Sequence, residues 1–143
     1  MLACESDKTM KFPGLFPFEA TTRDITVRVS VNFLPEQSEP DRSRWFWAYH
    51  IRIENDCDDT VQLLTRTWYI TDARSYVQQV HGDGVVGDQP VLQPGKSYDY
   101  VSGCPLGTAS GRMHGKYGML GILQGPFDIV IPEFPLHINT ALS

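Results

Sequence analysis

Apolar and polar side chains alternate along this chain far more often than they follow a helical period. Ile25, Val27, Val29, Val31 and Phe33 share one face of an extended segment, with Thr26, Arg28, Ser30 and Asn32 on the other, which predicts a half-buried strand. Pro35 to Arg44 is polar and reads as a loop. The alternation returns in Trp45, Trp47, Tyr49, Ile51 and Ile53, with His50, Arg52 and Glu54 opposite. Asn55 to Asp59 then reads as a turn, because Asx side chains bond their own backbone.

Val61 to Ile70 predicts another strand, whose two ends favour opposite faces; that mismatch places a bulge near Thr65. Thr71 to Ser75 forms a hairpin turn into a strand over Tyr76 to Val80, and Gln93-Pro94-Gly95-Lys96 is a tight turn before the alternating Tyr98, Tyr100 and Ser102. Arg112 to Met119 and Phe127 to Ile131 predict two further strands. No segment predicts a helix. Seven to eight short strands punctuated by turns imply an all-β fold, an immunoglobulin-like or fibronectin type III-like β-sandwich. An immunoglobulin disulfide core is excluded, since Cys57 falls in the Asx turn.

The length of 143 residues suits one domain, assigned to 21–143 with an N-terminal extension over 1–20. The net charge is −5 and the 12 basic residues are scattered singly, so no nucleic-acid partner is expected. Cys4, Cys57 and Cys104 are odd in number and far apart, which indicates a reducing compartment. The first 20 residues lack the regions of a secretory signal, and no apolar run is long enough to span a membrane. A cytoplasmic protein without a membrane partner is the expectation.

Several runs look familiar in order: Phe33 to Ser38, Ile51 to Asn55, Arg66 to Asp72, His81 to Pro90 with Pro94-Gly95, Tyr100 to Gly103, Ser110 to Tyr117, and Ile131 to Phe134. Together they resemble the ApaG domain family over about Thr21 to Leu136. The resemblance implies a fibronectin III-like sandwich. It also implies an association of bacterial members with cobalt and magnesium efflux, and a binding-module role in larger eukaryotic relatives, but no catalytic residues. Leu120 to Gly125 departs from the family pattern, being apolar where relatives carry an acidic, polar hairpin.

The candidate chemistry centres on Gly82-x-Gly84-x-x-Gly87, which matches a dinucleotide fingerprint in letters. Such a fingerprint must open a helix whose N-terminus receives the pyrophosphate. Here Asp88, Gln89 and Pro90 follow, and Asp83 and Asp88 would repel phosphate unless a divalent cation screened them. The glycines therefore read as residues of positive φ in a tight inter-strand loop, with a metal-bridged pyrophosphate or nucleotide site as the alternative.

His81, Asp83 and Asp88 are the nearest acid and imidazole set, but their spacing belongs to no ligand motif, and Asp56, Asp58 and Asp59 lack the glycine and distal glutamate of a calcium loop. No metal ligand is assigned. No serine lies in a nucleophile elbow, and His50, His114 and His137 are coupled to no nucleophile. Cys104 reads as a buried or edge thiol, and the Trp45 and Trp47 face as core.

The expectation is a non-enzymatic interaction module with no catalytic residue and no cofactor. Its partner is another protein, or a second copy docked through an apolar hairpin of Leu120, Ile122 and Leu123. The alternative is a ligand sensor using Gly82, Gly84 and Gly87.

Overall fold

The computed structural model describes residues 16–138. Nine strands form two antiparallel sheets: β1 (Phe18–Thr22), β2 (Ile25–Phe33), β3 (Trp45–Asn55), β4 (Val61–Asp72), β5 (Val77–Asp83), β6 (Val91–Leu92), β7 (Ser97–Leu106), β8 (Gly111–Gly121) and β9 (Gly125–Leu136). One sheet runs β1-β2-β3-β7 and the other β5-β4-β8-β9, with β6 pairing the same edge of β4 further along. The expected β-sandwich is therefore the fold. Two 3-10 turns, Pro35–Gln37 and Pro40–Arg42, interrupt the predicted polar loop.

The inner faces follow the alternation. Ile25, Val27 and Val29 of β2 meet Trp47, Tyr49, Ile51 and Ile53 of β3, and all are buried. From the other sheet come Leu63, Trp68, Tyr117, Met119, Ile129 and Phe134. Trp68 stands edge-on to Phe134 and to Tyr49, the arrangement aromatic rings favour.

The register of β4 against β8 shifts between Leu63 and Thr65, where the sequence predicts a bulge. The extra residue, Leu64, changes the parity of everything after it. Val61 and Leu63 point inward before the bulge; Arg66, Trp68 and Ile70 share the inner face after it, because Arg66 pairs with the buried Tyr117 and Ile70 with the buried Met113.

Two strands differ from the sequence reading. β1 runs across the domain boundary expected at residue 21; it hides in sequence because Phe18, Ala20 and Thr22 alternate too briefly after Pro17 to stand out. β6 is two residues long and is held only by its pairing with Val61 and Gln62. The rest of the expected extension, 1–15, lies outside the described residues.

The solvent face of the first sheet carries a cross-strand row of charged side chains, in which Arg28 and Arg52 stand directly opposite each other between Glu19 and Asp99. Arg28 pairs with Glu19 and Glu54, Arg52 with Glu54 and Asp99, and His50 with Asp99. Such a row pins cross-strand register but adds little stability per pair. The edge strand β9 carries Pro126, Pro132 and Pro135, which lack the N–H another strand would need.

Candidate functional site

The glycine-rich segment between β5 and β6 sits over the bulge, and its three glycines do three different things. Gly82, which the sequence reading puts in the loop, belongs to a strand and has no positive φ. It lies in β5 opposite Arg66, and a Cβ there would stand 2.8 Å from Arg66 Nη2 and 2.9 Å from Nη1. The missing side chain makes room for a guanidinium. Gly84 is buried with φ +65°, and a Cβ would come within 2.4 Å of the Asp88 carbonyl oxygen. Gly87 has φ +85° with open space around it, so only its backbone conformation asks for glycine.

Between them, Val85 and Asp88 exchange both backbone bonds, at 2.8 and 2.9 Å. Val86 (φ 47°) and Gly87 therefore form the corners of a two-residue turn with positive φ at both, a type I′ geometry. Val85 is wholly buried and plugs the end of the core. The loop is anchored on the bulge: Leu64 O accepts from the Gly84 N–H at 2.8 Å and from Gln89 Nε2 at 2.9 Å. Arg66 Nη1 adds bonds to the Asp83 and Gly84 carbonyls, both at 2.9 Å. No helix follows; the chain passes through Pro90 into β6.

These bonds occupy the N–H groups of Gly84, Val85 and Asp88. At the tip, Val86 and Gly87 keep theirs without a partner among the described residues. The carboxylate of Asp88 accepts from the Tyr98 hydroxyl at 2.9 Å, and His81 Nδ1 meets Thr67 Oγ1 at 2.8 Å. The acid and imidazole set of this segment is thus spread over separate bonds, and no group of three or more His, Cys, Asp or Glu that could hold a metal occurs among the described residues.

The aspartates after β3 build a turn. Asn55 Oδ1 accepts from the Cys57 N–H at 3.0 Å, while its amide bridges the carbonyls of Asp59 and Leu92, each at 2.9 Å. Asp59 reaches across to the β8–β9 turn and accepts from the N–H groups of Leu123 and Gln124, at 3.1 Å each. Burial alone would raise this carboxyl, but the bonds from Gln124 and Leu123 outweigh it and hold it below its ordinary value. The hairpin tip is therefore pinned from beneath.

That tip displays the apolar residues singled out in the sequence. Ile122 and Leu123 are 78% and 79% exposed, and Leu120 lies beside them on β8. Leu120 and Ile122, with Val91, Thr60 and Gln62, border a groove of about 550 Å³, and Leu123 faces away from it.

A second concavity opens between the edges of β5 and β7, which no other strand among the described residues pairs. It measures about 270 Å³ and is lined by Tyr49, Arg66, Trp68, Val80, Ser102 and Met113, among others. In its wall and behind it, burial raises the phenols of Tyr49, Tyr100 and Tyr117 and pushes the Cys104 thiol up to about 12. Neither thiol nor phenol is prepared for nucleophilic work. Sequence reading missed this cleft. The signal was present in the bulge, since the parity change that turns Trp68 inward turns Arg66 inward with it.

The ApaG domain family's sequence model matches residues 35–121. The chain is 53% identical over 119 residues to the protein ApaG of Bradyrhizobium diazoefficiens, covering 83% of this chain and 92% of that protein. It is 51% identical over 121 residues to the protein ApaG of Brucella canis, covering 85% and 93%. A crystal structure of a provisionally named ApaA protein from Bordetella pertussis superposes with a TM-score of 0.79 at 44% identity, over 82% of this chain and 95% of that one.

Proposed function

The chain belongs to the ApaG domain family, and from that premise we propose that it is a non-catalytic binding module whose contact surface is the β8–β9 hairpin and the groove beside it. The observation that carries this reading is the exposure of Ile122 and Leu123 on a turn whose Leu123 and Gln124 N–H groups bond to the Asp59 carboxylate. A large apolar side chain held in water on an ordered turn gains free energy when a partner covers it, about 25 cal/mol for each Å² removed from water. The partner is a protein, with a second copy of the chain as its simplest form. Any tie to cobalt and magnesium efflux runs through that partner, since His81 and Asp88 already serve Thr67 and Tyr98.

The test compares wild type with an Ile122→Asp, Leu123→Asp double variant. Sedimentation velocity over a concentration series should show wild-type self-association that the variant lacks. If wild type stays monomeric, partners crosslinked in cells should include proteins lost with the variant. Identical partner sets and a monomer in both cases would refute the proposal, as would turnover of a nucleotide by purified protein.

A second reading places a pyrophosphate group at the glycine segment. The N–H groups of Val86 and Gly87, without a partner among the described residues, support it. The carboxylates of Asp83 and Asp88 oppose it unless magnesium intervenes. Phosphorus NMR with pyrophosphate, with and without magnesium, tests it; an unshifted signal in both removes the reading.

A further inference from the structure

Arg66 is a cation turned toward the interior of a β-sandwich. The ion pairs among the described residues involve Arg28, Arg44, Arg52, Arg112 and Lys116, His50 hydrogen-bonds to Asp99, and Arg66 is in none of these contacts. Its only bonds among those residues leave from Nη1 to two carbonyls, which hold the group in place without neutralising it. Nη2 and Nε have no protein partner there, yet they are not among the buried unsatisfied atoms, so solvent reaches them. Gly82 beneath the plane lets the guanidinium lie flat against β5, and any side chain there would displace it.

This fixed cation lines the cleft between β5 and β7, whose other walls are mostly apolar: Trp68, Val80 and Met113, with the Ser102 hydroxyl and the Tyr49 phenol as polar neighbours. At about 270 Å³ the cleft falls just below the range of about 300–1,000 Å³ usual for ligand pockets, so its occupant is small. We propose that this cleft binds a small organic monocarboxylate, with its carboxylate on the free edge of Arg66 and its apolar body against Trp68, Val80 and Met113. A carboxylate matches the planar donor edge of a guanidinium and carries one charge against one charge. A phosphate dianion would leave a net negative charge facing buried phenols. The low-dielectric walls strengthen the pairing relative to the surface ion pairs of the other sheet.

The site is separate from the hairpin groove, and its test does not depend on that surface. Titration of ¹⁵N-labelled full-length chain with benzoate and with octanoate, followed by the Arg66 Nε and Trp68 Nε1 resonances, should give saturable shifts at millimolar ligand or below. Inorganic phosphate should not. Arg66→Met should weaken binding by about 10- to 100-fold, as expected for the loss of charge-assisted hydrogen bonds. Val80→Trp keeps the cation but fills the cleft, and should abolish the shifts even if Arg66→Met fails to fold. Absence of a saturable shift in wild type, equal affinity in Arg66→Met or Val80→Trp, or equal binding of phosphate would each overturn the assignment.

Discussion

The hydroxyls of Tyr100 on β7 and Tyr117 on β8 hydrogen-bond to each other at 2.5 Å, joining the two sheets by a polar bond inside an otherwise apolar core. Each hydroxyl satisfies the other in a place water does not reach. Removing one therefore strands its neighbour. Tyr117→Phe or Tyr100→Phe should each cost about 1–3 kcal/mol in urea denaturation. The double variant should cost less than the sum of the two, because no orphaned group remains. Strict additivity would show that the bond contributes nothing.

Stability should fall at both ends of the pH scale for reasons the core makes specific. The folded state favours neutral Cys104, raised from 9.0 to about 12, and neutral Tyr100 and Tyr117, raised above 10.0. Their contribution is complete below the unfolded values and is lost as pH climbs above about 9. Asp59 is the opposite case: its folded value lies below 3.8, so its contribution is present above that pH and lost as pH falls beneath it. Urea midpoints measured from pH about 2 to about 11 check both limbs. Cys104→Ala should flatten the start of the alkaline limb, and Asp59→Asn the acid one.

Cys104 is 2% exposed and its thiol is raised by burial, whereas Cys57 sits half-buried at a surface turn. In a Cys4→Ser background, an aromatic disulfide reagent at neutral pH should modify Cys57 rapidly and Cys104 only on unfolding. Two equally fast thiols would contradict the burial described for β7.

The turn after β5 stores strain at Val86, a β-branched residue at φ 47°. Asparagine tolerates that region and suits the first corner of a type I′ turn, so Val86→Asn should stabilise by about 1 kcal/mol. Gly84→Ala should do the reverse, losing about 1–3 kcal/mol or more, since its Cβ would meet the Asp88 carbonyl as well as the positive φ. Thermal melts of the two variants, moving in opposite directions, test the geometry of the segment.

The sandwich is readable in the sequence because its central strands bury one face each. In β2 and β3 every second residue is apolar, and the bulge in β4 betrays itself as a change of parity. β1 escapes because five residues next to a proline offer too little alternation, and β6 because two residues offer none. The letters of the glycine segment mislead about Gly82, which answers to the arginine on the neighbouring strand and not to a ligand-shaped loop. Contacts between residues distant in sequence, such as Tyr98 with Asp88 or Asp59 with Leu123, leave no periodic trace. The apolar hairpin, by contrast, is visible in the letters alone.

One flank of the molecule is closed where β1 and β2 pack against β9 and the Val130 N–H bonds to Thr22 Oγ1 at 3.1 Å. On the opposite flank no strand among the described residues joins β5 to β7. The two layers are thus bound like a book, with the spine along β9 and the fore-edge beside Arg66. Native fluctuations that part the pages admit solutes at that fore-edge first, so amide hydrogens of β5 should exchange well before those of β2.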